Sequence, residues 1–228
     1  MTPTLAALFV QERGCYVDLP GVDPWPEPRD ARLYAGPWPV VAHPPCSRWC
    51  RLAGLVEARW GHKRGDDGGC FASALASVHR WGGVLEHPAD SRAWSAHDLP
   101  EPPRRGGWVR GLHGGWACHV EQGRYGHVAK KATWLYAYGC ELPDLRWGST
   151  PDGESMAMVS RCGNRTKRLP GRPRVGKAEA SKTPPAFRDI LLAMARSVSR
   201  PTDDPATIAD SPCDRRLTGH HECATPST

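Results

Sequence analysis

Two short apolar runs, each cut off by proline, constrain the fold more than any other feature of this chain. The first is Pro39 to Ala42, followed by His-Pro-Pro-Cys46, and the second is Val84 to Leu85, followed by Glu-His-Pro88. Proline has a fixed φ and cannot donate a ladder hydrogen bond, so each run predicts a buried strand that leaves the sheet at its end. Residues 70–81 carry apolar side chains on one helical face. The pattern predicts a βαβ unit with parallel strands.

The βαβ unit places Cys46 and Glu86 at the same edge of the sheet, because the carboxyl ends of parallel strands meet there. A thiolate is a nucleophile, and cationic neighbours such as Arg48 favour the thiolate form. A carboxyl group beside the same ring can hydrogen-bond a ring nitrogen and stabilise charge as the sulfur adds. The two residues together therefore predict a catalytic site at this edge, in which a thiolate adds to an electrophilic ring that the carboxyl group holds.

The predicted fold class is α/β, with a Rossmann-like, mostly parallel sheet flanked by helices. At 228 residues the chain can build one core of ordinary size. Its 24 glycines and 23 prolines predict long loops, with residues 18–35 and 100–115 as the main ones. A net charge of +6 and a pI near 8.9 favour a polyanionic partner, and DNA is the expected one.

Four segments are predicted along the chain. Residues 1–150 form the α/β catalytic domain, and residues 151–182 form a flexible basic arm, since 161–182 contains eight lysines and arginines among glycines and prolines. Residues 183–200 predict a helix that docks on the domain, and residues 201–228 predict a disordered polar tail. The expected nucleic-acid contacts come from the loop and the arm: Arg104, Arg105, Arg110, Arg165, Lys167, Arg168, Arg172 and Arg174.

The motifs follow one another in the order of a known family. Pro44-Pro45-Cys46, a strand that ends in Glu86 and a later Tyr125-Gly126 segment with Lys130-Lys131 resemble the catalytic half of the DNA cytosine-5 methyltransferases over about residues 38–140. The resemblance implies that Cys46 adds to carbon 6 of a flipped pyrimidine and that Glu86 holds the ring. The substrate-binding set that it implies is Pro45, Ser47, Arg48, His87, Tyr125, Lys130, Lys131 and Thr133.

The same resemblance implies S-adenosylmethionine as the cofactor, with Phe9 and Pro44 as contacts. The family has Phe-x-Gly-x-Gly after its first strand, whereas Leu8 to Gly14 contains one glycine. The Ala-His-Pro-Pro-Cys and Leu-Glu-His-Pro segments also resemble short phage and prophage proteins. No metal and no membrane partner are expected.

Three alternatives remain open on the sequence. The chain can be a non-catalytic DNA-binding or decoy protein on the same fold, acting through its basic residues. It can carry another chemistry on a base, such as glycosyl transfer, with Glu86 as acid or nucleophile. The third is structural zinc, for which the candidate ligands are His43, Cys46, Cys50, His62 and Cys70.

The cysteines predict a reducing compartment. There are nine, an odd number, and they are scattered along the chain. No stretch approaches the ~20 apolar residues that cross a bilayer, and residues 1–10 are short and uncharged for a secretion signal. A cytoplasmic location is expected, in the host cell if a phage encodes the chain.

Overall fold

The computed structural model describes residues 2–50, 53–151, 158–159 and 174–199, and the side chains of 158, 159, 174 and 177 are not described. Seven strands form one sheet. They are β1 (Leu5–Val10), β2 (Val22–Pro26), β3 (Val40–Ala42), β4 (Gly83–Pro88), β5 (Trp108–Arg110), β6 (Trp116–Glu121) and β7 (Ala132–Tyr138). The helices are α1 (Ala53–Trp60), α2 (Cys70–Trp81), α3 (Arg92–Ala96), α4 (Lys177–Ser181) and α5 (Pro185–Arg196). Strands β8 (Met158–Val159) and β9 (Arg174–Val175) pair separately.

The sheet order is β2-β1-β3-β4-β7-β6-β5. Strands β1 to β4 are parallel, as the βαβ pattern predicts, and α2 connects β3 to β4. Strand β7 then pairs antiparallel with β4, and β6 and β5 continue antiparallel. The sheet is therefore mixed, with a parallel half and an antiparallel half, and helices flank it in an α/β arrangement.

Each face of the sheet packs against different helices. One face carries Val41, Val84 and Leu135, which form a core with Phe187 and Leu191 of α5. The opposite face carries Leu85 and other apolar residues, which pack against α2 and α3. Because side chains alternate along a strand, consecutive residues at the end of β4 face opposite sides. Glu86 therefore lies on the α5 side and His87 on the α2 side.

The chain departs from the sequence predictions mainly at the sheet edges. Strand β2 forms inside the predicted loop 18–35, and β5 forms inside the predicted loop 100–115. Both are edge strands, which need one partner only and tolerate proline. The helix-like spacing of residues 49–59 predicts a helix there, but α1 begins at Ala53, because Cys46 to Cys50 form a turn.

The C-terminal part is described only in pieces. Helix α5 lies within the predicted 183–200 segment and buries Phe187, Leu191 and Met194. Within the predicted basic arm, the structure forms the short β8–β9 pair and α4. The predicted tail at 201–228 lies outside the described residues. No helix in the described ranges is long and apolar enough to cross a membrane.

Candidate functional site

The register between two parallel strands brings His43 and Glu86 together. Strand β3 pairs with β4 so that Ala42 lies opposite Leu85. His43 directly follows Ala42 in the chain, and Glu86 directly follows Leu85. His43 Nδ1 lies 3.0 Å from Glu86 Oε2. The two side chains are 14% and 9% exposed. The carboxylate is thus almost withdrawn from water and bound by the imidazole of the neighbouring strand.

Three further side chains complete a hydrogen-bonded network around Glu86. Gln122 Nε2 donates to Glu86 Oε1 and to Thr133 Oγ1, at 2.9 Å each. The Thr133 hydroxyl lies 3.3 Å from Glu86 Oε1. On the far side, His43 Nε2 lies 2.8 Å from the Tyr16 hydroxyl. Because a carboxylate only accepts, His43 Nδ1 donates to Glu86, and in the neutral imidazole Nε2 then accepts from Tyr16.

The network keeps Glu86 ionised. Burial alone raises the pKa of this carboxyl group, but the hydrogen bond from His43 and the charge of Lys131 outweigh burial and lower the pKa from 4.5 to about 2. Burial also raises the pKa of Tyr16 well above 10, so the phenol stays protonated and can donate. A buried carboxylate with its donors in place is a fixed negative acceptor at the sheet edge.

The Cys46 turn follows β3 directly. Cys46 is half-buried, and its carbonyl accepts from the backbone N–H groups of Trp49 and Cys50 at 3.0 Å each. Trp49 Nε1 donates to Asp67 Oδ2 at 2.8 Å, and the same oxygen accepts from Phe71 N near the start of α2. The turn is therefore anchored to α2, and the sulfur lies just beyond the carboxyl end of its strand.

His87 connects the Cys46 turn to β4. Its ring is fully buried, with centroids 5.2 Å from Phe71 and 6.2 Å from Trp94. Burial lowers the pKa of His87 from 6.5 to about 4, although Glu86 and the Pro45 carbonyl partly offset this. That carbonyl lies close to the ring without forming a well-aligned hydrogen bond. The peptide bond that precedes Cys46 thus lies against the end of β4.

The buried neutral His87 predicts an acid-sensitive fold. An unfolded histidine takes up a proton near pH 6.5, whereas His87 in the folded chain does so only near 4, so its contribution is complete above 6.5 and is lost as the pH falls towards 4. Between pH 7 and 5 we expect wild type to lose roughly 2 kcal/mol more unfolding free energy than His87→Phe. Urea unfolding at both pH values measures the difference. Parallel losses in the two proteins would contradict a neutral His87.

The predicted substrate-binding residues divide into two groups. The first group lies at or near the site: Thr133 contacts Glu86, and His87 lies close to the Cys46 turn. In that turn, Pro45 and Ser47 are exposed and Arg48 is half-buried. Tyr125 packs in the core instead, with its ring 5.3 Å from Phe187 and its hydroxyl accepting from Arg146 N. Tyr125 is therefore a core residue, because the turn before β7 directs its ring towards α5.

The two predicted lysines also differ. Lys130 is exposed. Lys131 Nζ donates to the carbonyls of Ser181 and Lys182 at 3.2 and 2.7 Å, which holds the end of α4 beside the site. Its charge also acts on Glu86. Lys131 is thus next to the network, but its hydrogen bonds go to the backbone.

The arginines predicted to bind nucleic acid lie in separate places. Arg104 forms an ion pair with Asp90, just after β4, with 2.7 Å between Nη2 and Oδ1, and Arg105 is exposed nearby in sequence. Arg110 lines a surface cleft of about 570 Å³ with Ser95, Asp98, Leu99, Pro100, Gly111 and Leu112. Residues Arg165, Lys167, Arg168 and Arg172 lie outside the described ranges, as does the side chain of Arg174.

The candidate ligands of the alternative zinc site are not grouped in the described part of the structure. Within the described part of the chain, no three His, Cys, Asp or Glu residues are grouped so that they could hold a metal ion. His43 binds Glu86 and Tyr16, and Cys50 Sγ lies 3.7 Å from the Ser47 carbonyl. Proximity in sequence was therefore a poor guide, because the strand end and the following turn direct these side chains apart.

Sequence reasoning missed Tyr16 and Gln122 and gave His43 no role beside Glu86. For His43 a usable signal exists, because aligning Val-Val-Ala-His with Val-Leu-Glu in parallel register puts the imidazole beside the acid. Tyr16 and Gln122 come from the loop after β1 and the turn after β6, and no local pattern reports that those segments meet.

Comparison of the chain with protein-family models, with curated proteins and with solved structures finds no match.

Proposed function

We propose that this chain modifies a pyrimidine base in DNA by transient addition of the Cys46 thiolate to ring carbon 6, on a Rossmann-like domain related to the cytosine-5 methyltransferases. One observation carries the proposal. Glu86 is buried and ionised near the carboxyl end of β4, and the Pro45 carbonyl, in the segment that follows the adjacent strand β3, lies close to the next residue, His87. For the addition, a flipped base has to reach across the end of β4, from the Cys46 turn on the His87 side to the Glu86 carboxylate on the other side.

The network around Glu86 supports a binding role for the acid and a nucleophilic role for the thiol. Both carboxylate oxygens already accept hydrogen bonds, which lowers the nucleophilicity of Glu86 and fixes its direction. Cys46 lies in an anchored turn at the rim of the same edge. The arrangement therefore favours thiol addition over glycosyl transfer through the carboxylate.

The methyl donor is a separate question. S-adenosylmethionine is the donor that the family resemblance implies, and it would bind at the carboxyl ends of β1 and β2. Phe9 takes the glycine-like φ of +57° there, and Tyr16, in the loop after β1, binds His43. These residues do not form the family's glycine cradle. The proposed mechanism therefore stops at the addition step and uses no donor.

DNA remains the proposed partner. The net charge is +6, and Arg104 and Arg105 follow the edge that holds Glu86. Because phosphate contacts by lysine and arginine position a nucleic acid without reading its bases, the site at the edge has to supply selectivity.

Hydrogen exchange at carbon 5 tests the addition without any donor. When the thiolate adds to C6, the C5=C6 electron pair moves towards C5, which takes a deuteron from D₂O. Loss of the original C5 proton then expels the thiolate and restores the ring. We expect the full chain to introduce deuterium at C5 of a pyrimidine in an oligonucleotide, measured by mass spectrometry of the released nucleosides.

The same experiment separates the alternatives. A non-catalytic binder or decoy retains the oligonucleotide, measured by fluorescence anisotropy, but leaves the C5 hydrogen in place. Binding without exchange into any pyrimidine would therefore overturn the proposal. A parallel reaction that contains S-adenosylmethionine tests the methyl donor separately. Methyl transfer replaces a hydrogen by a methyl group and raises the mass of the base by about 14 Da.

A further inference from the structure

The carboxylate of Glu86 has one acceptor position left. Oε1 accepts from Gln122 and lies beside the Thr133 hydroxyl, and Oε2 lies beside His43 Nδ1. An ionised carboxylate offers about four acceptor positions and no donor. At most three are in use, because the single hydrogen of the Thr133 hydroxyl also has the Lys131 carbonyl 3.1 Å away. A further position is on Oε2, next to a His43 side chain that is 14% exposed. A ligand that reaches this edge therefore meets an acceptor.

A second acceptor lies in the same network. Gln122 donates both amide hydrogens, which fixes its orientation, because the reversed amide would turn its oxygen towards the carboxylate. Within the described residues, the side-chain oxygen of Gln122 has no hydrogen-bond donor, although the residue is fully buried. On the α5 side of β4, the unfilled polar atoms beside Glu86 are thus acceptors, whereas the unpaired ring nitrogens of His87 lie on the α2 side.

An acceptor site selects between the pyrimidines. Resting on the proposed function, we infer that the edge takes a 4-oxopyrimidine of the uracil class in preference to cytosine. The N3 atom of uracil carries a hydrogen and donates to a carboxylate, whereas N3 of cytosine has a lone pair that a carboxylate repels.

Cytosine has two ways to bind, and both are unfavourable here. It can share a proton with Glu86 at N3, which the low pKa of this group, about 2, opposes. It can instead donate its exocyclic amino group to Oε2, which moves the ring by one position along its edge and displaces carbon 6 from Cys46. A hydrogen bond to a charged group is worth about 1.5–3 kcal/mol, so a preference of about tenfold or more is expected.

The test compares two oligonucleotides that are identical except for one uracil or one cytosine. The full chain is incubated with each in D₂O, and the rate of deuterium uptake at C5 is measured. We expect wild type to exchange uracil at least about tenfold faster. Exchange of cytosine at an equal or higher rate would overturn this inference and leave the proposed addition intact, whereas no exchange into either base would overturn the addition itself.

Glu86→Gln separates recognition from the intrinsic reactivity of the two bases. The amide can donate to N3 of cytosine, and His43 can reverse its tautomer to accept from the amide while it donates to Tyr16. We expect the ratio of uracil to cytosine exchange to fall by about tenfold. Glu141→Gln, the same change at an exposed residue beyond the opposite end of β7, is the matched control and should keep the wild-type ratio.

Circular dichroism and the urea midpoint check that Glu86→Gln is folded. An unchanged ratio in a folded Glu86→Gln protein would show that Glu86 does not read the base and would overturn the inference. If the variant does not fold, the affinities of wild type for the two oligonucleotides, measured by fluorescence anisotropy, decide, because binding does not depend on the reactivity of the ring. Equal or weaker binding of the uracil oligonucleotide would then overturn the inference.

Discussion

Cys46→Ala is expected to lower the rate of hydrogen–deuterium exchange at C5 by roughly 10³-fold or more. Addition of the sulfur to C6 is the step that allows C5 to take up a deuteron, and alanine cannot add. Cys46 is half-buried at a turn whose carbonyl is fixed by two backbone hydrogen bonds, so losing the sulfur leaves the turn in place. Binding of the oligonucleotide should stay close to wild type. The measurement is deuterium uptake at C5 over time, with anisotropy on the same samples.

Cys50→Ala provides the matched control. Cys50 is a second half-buried cysteine in the same turn, and its sulfur lies 3.7 Å from the Ser47 carbonyl. The variant removes the same atom four positions further along and should keep exchange within a few-fold of wild type. Equal losses in the two variants would mean that the turn, and not the Cys46 thiol, is what matters.

Gly83→Ala is expected to be the most damaging small substitution for stability. Gly83 begins β4 with φ +119°, and an added Cβ would lie 2.0 Å from the backbone carbonyl oxygen of Val40 on the neighbouring strand. Neither backbone can move without breaking the pairing between β3 and β4. Strained φ and overpacking each cost about 1–3 kcal/mol, so we expect a loss of about 3–5 kcal/mol. Guanidinium unfolding midpoints measure it.

Gly126→Ala measures the backbone-strain part of that loss by itself, so the difference between the two variants gives the steric part. Gly126 also has a positive φ, +90°, but an added Cβ there has no neighbour within 4 Å. The backbone strain alone should cost about 1–2 kcal/mol. If both variants lost the same stability, the close approach of β4 to Val40 would not be the cause.

The Gly83 contact also bears on the site, because it lies in the same pairing that positions Glu86. Val40 opposite Gly83 fixes the register, and the same register puts His43 beside Glu86 three residues later. A one-residue slip in this pairing would turn Glu86 to the α2 side of the sheet. Stability and site geometry are therefore coupled through one short strand pair.

Several elements could be predicted from local sequence. Helix α2 has the predicted bounds, since Phe71, Ala74 and Val78 recur on one face, and Gly82 and Gly83 end it. The apolar runs Leu5–Val10 and Thr133–Tyr138 predict two further strands, and β1 and β7 lie there. Each of these elements buries side chains in a regular period, and the period is visible in the chain itself.

The edge strands and the direction of β7 could not be predicted in this way. Strand β2 contains Pro24 and Pro26 and resembles a loop, but pairing with β1 alone is enough to extend it. The run from Ala132 to Tyr138 predicts a strand without indicating whether it runs parallel or antiparallel to β4. Direction follows from how the intervening turn at 122–125 packs, which depends on contacts distant in sequence.

The sequence by itself determined the α/β class and the βαβ unit, because strand period, helix period and proline stops are local properties. A common site for Cys46 and Glu86 stays a prediction. Only the tertiary structure decided what surrounds the acid. Tyr16, His43, Gln122 and Thr133 come from four separate segments, and they meet at Glu86 because strand register and loop packing bring them there. Hydrogen bonds between distant segments leave no periodic trace in a chain, and those bonds make Glu86 an ionised acceptor.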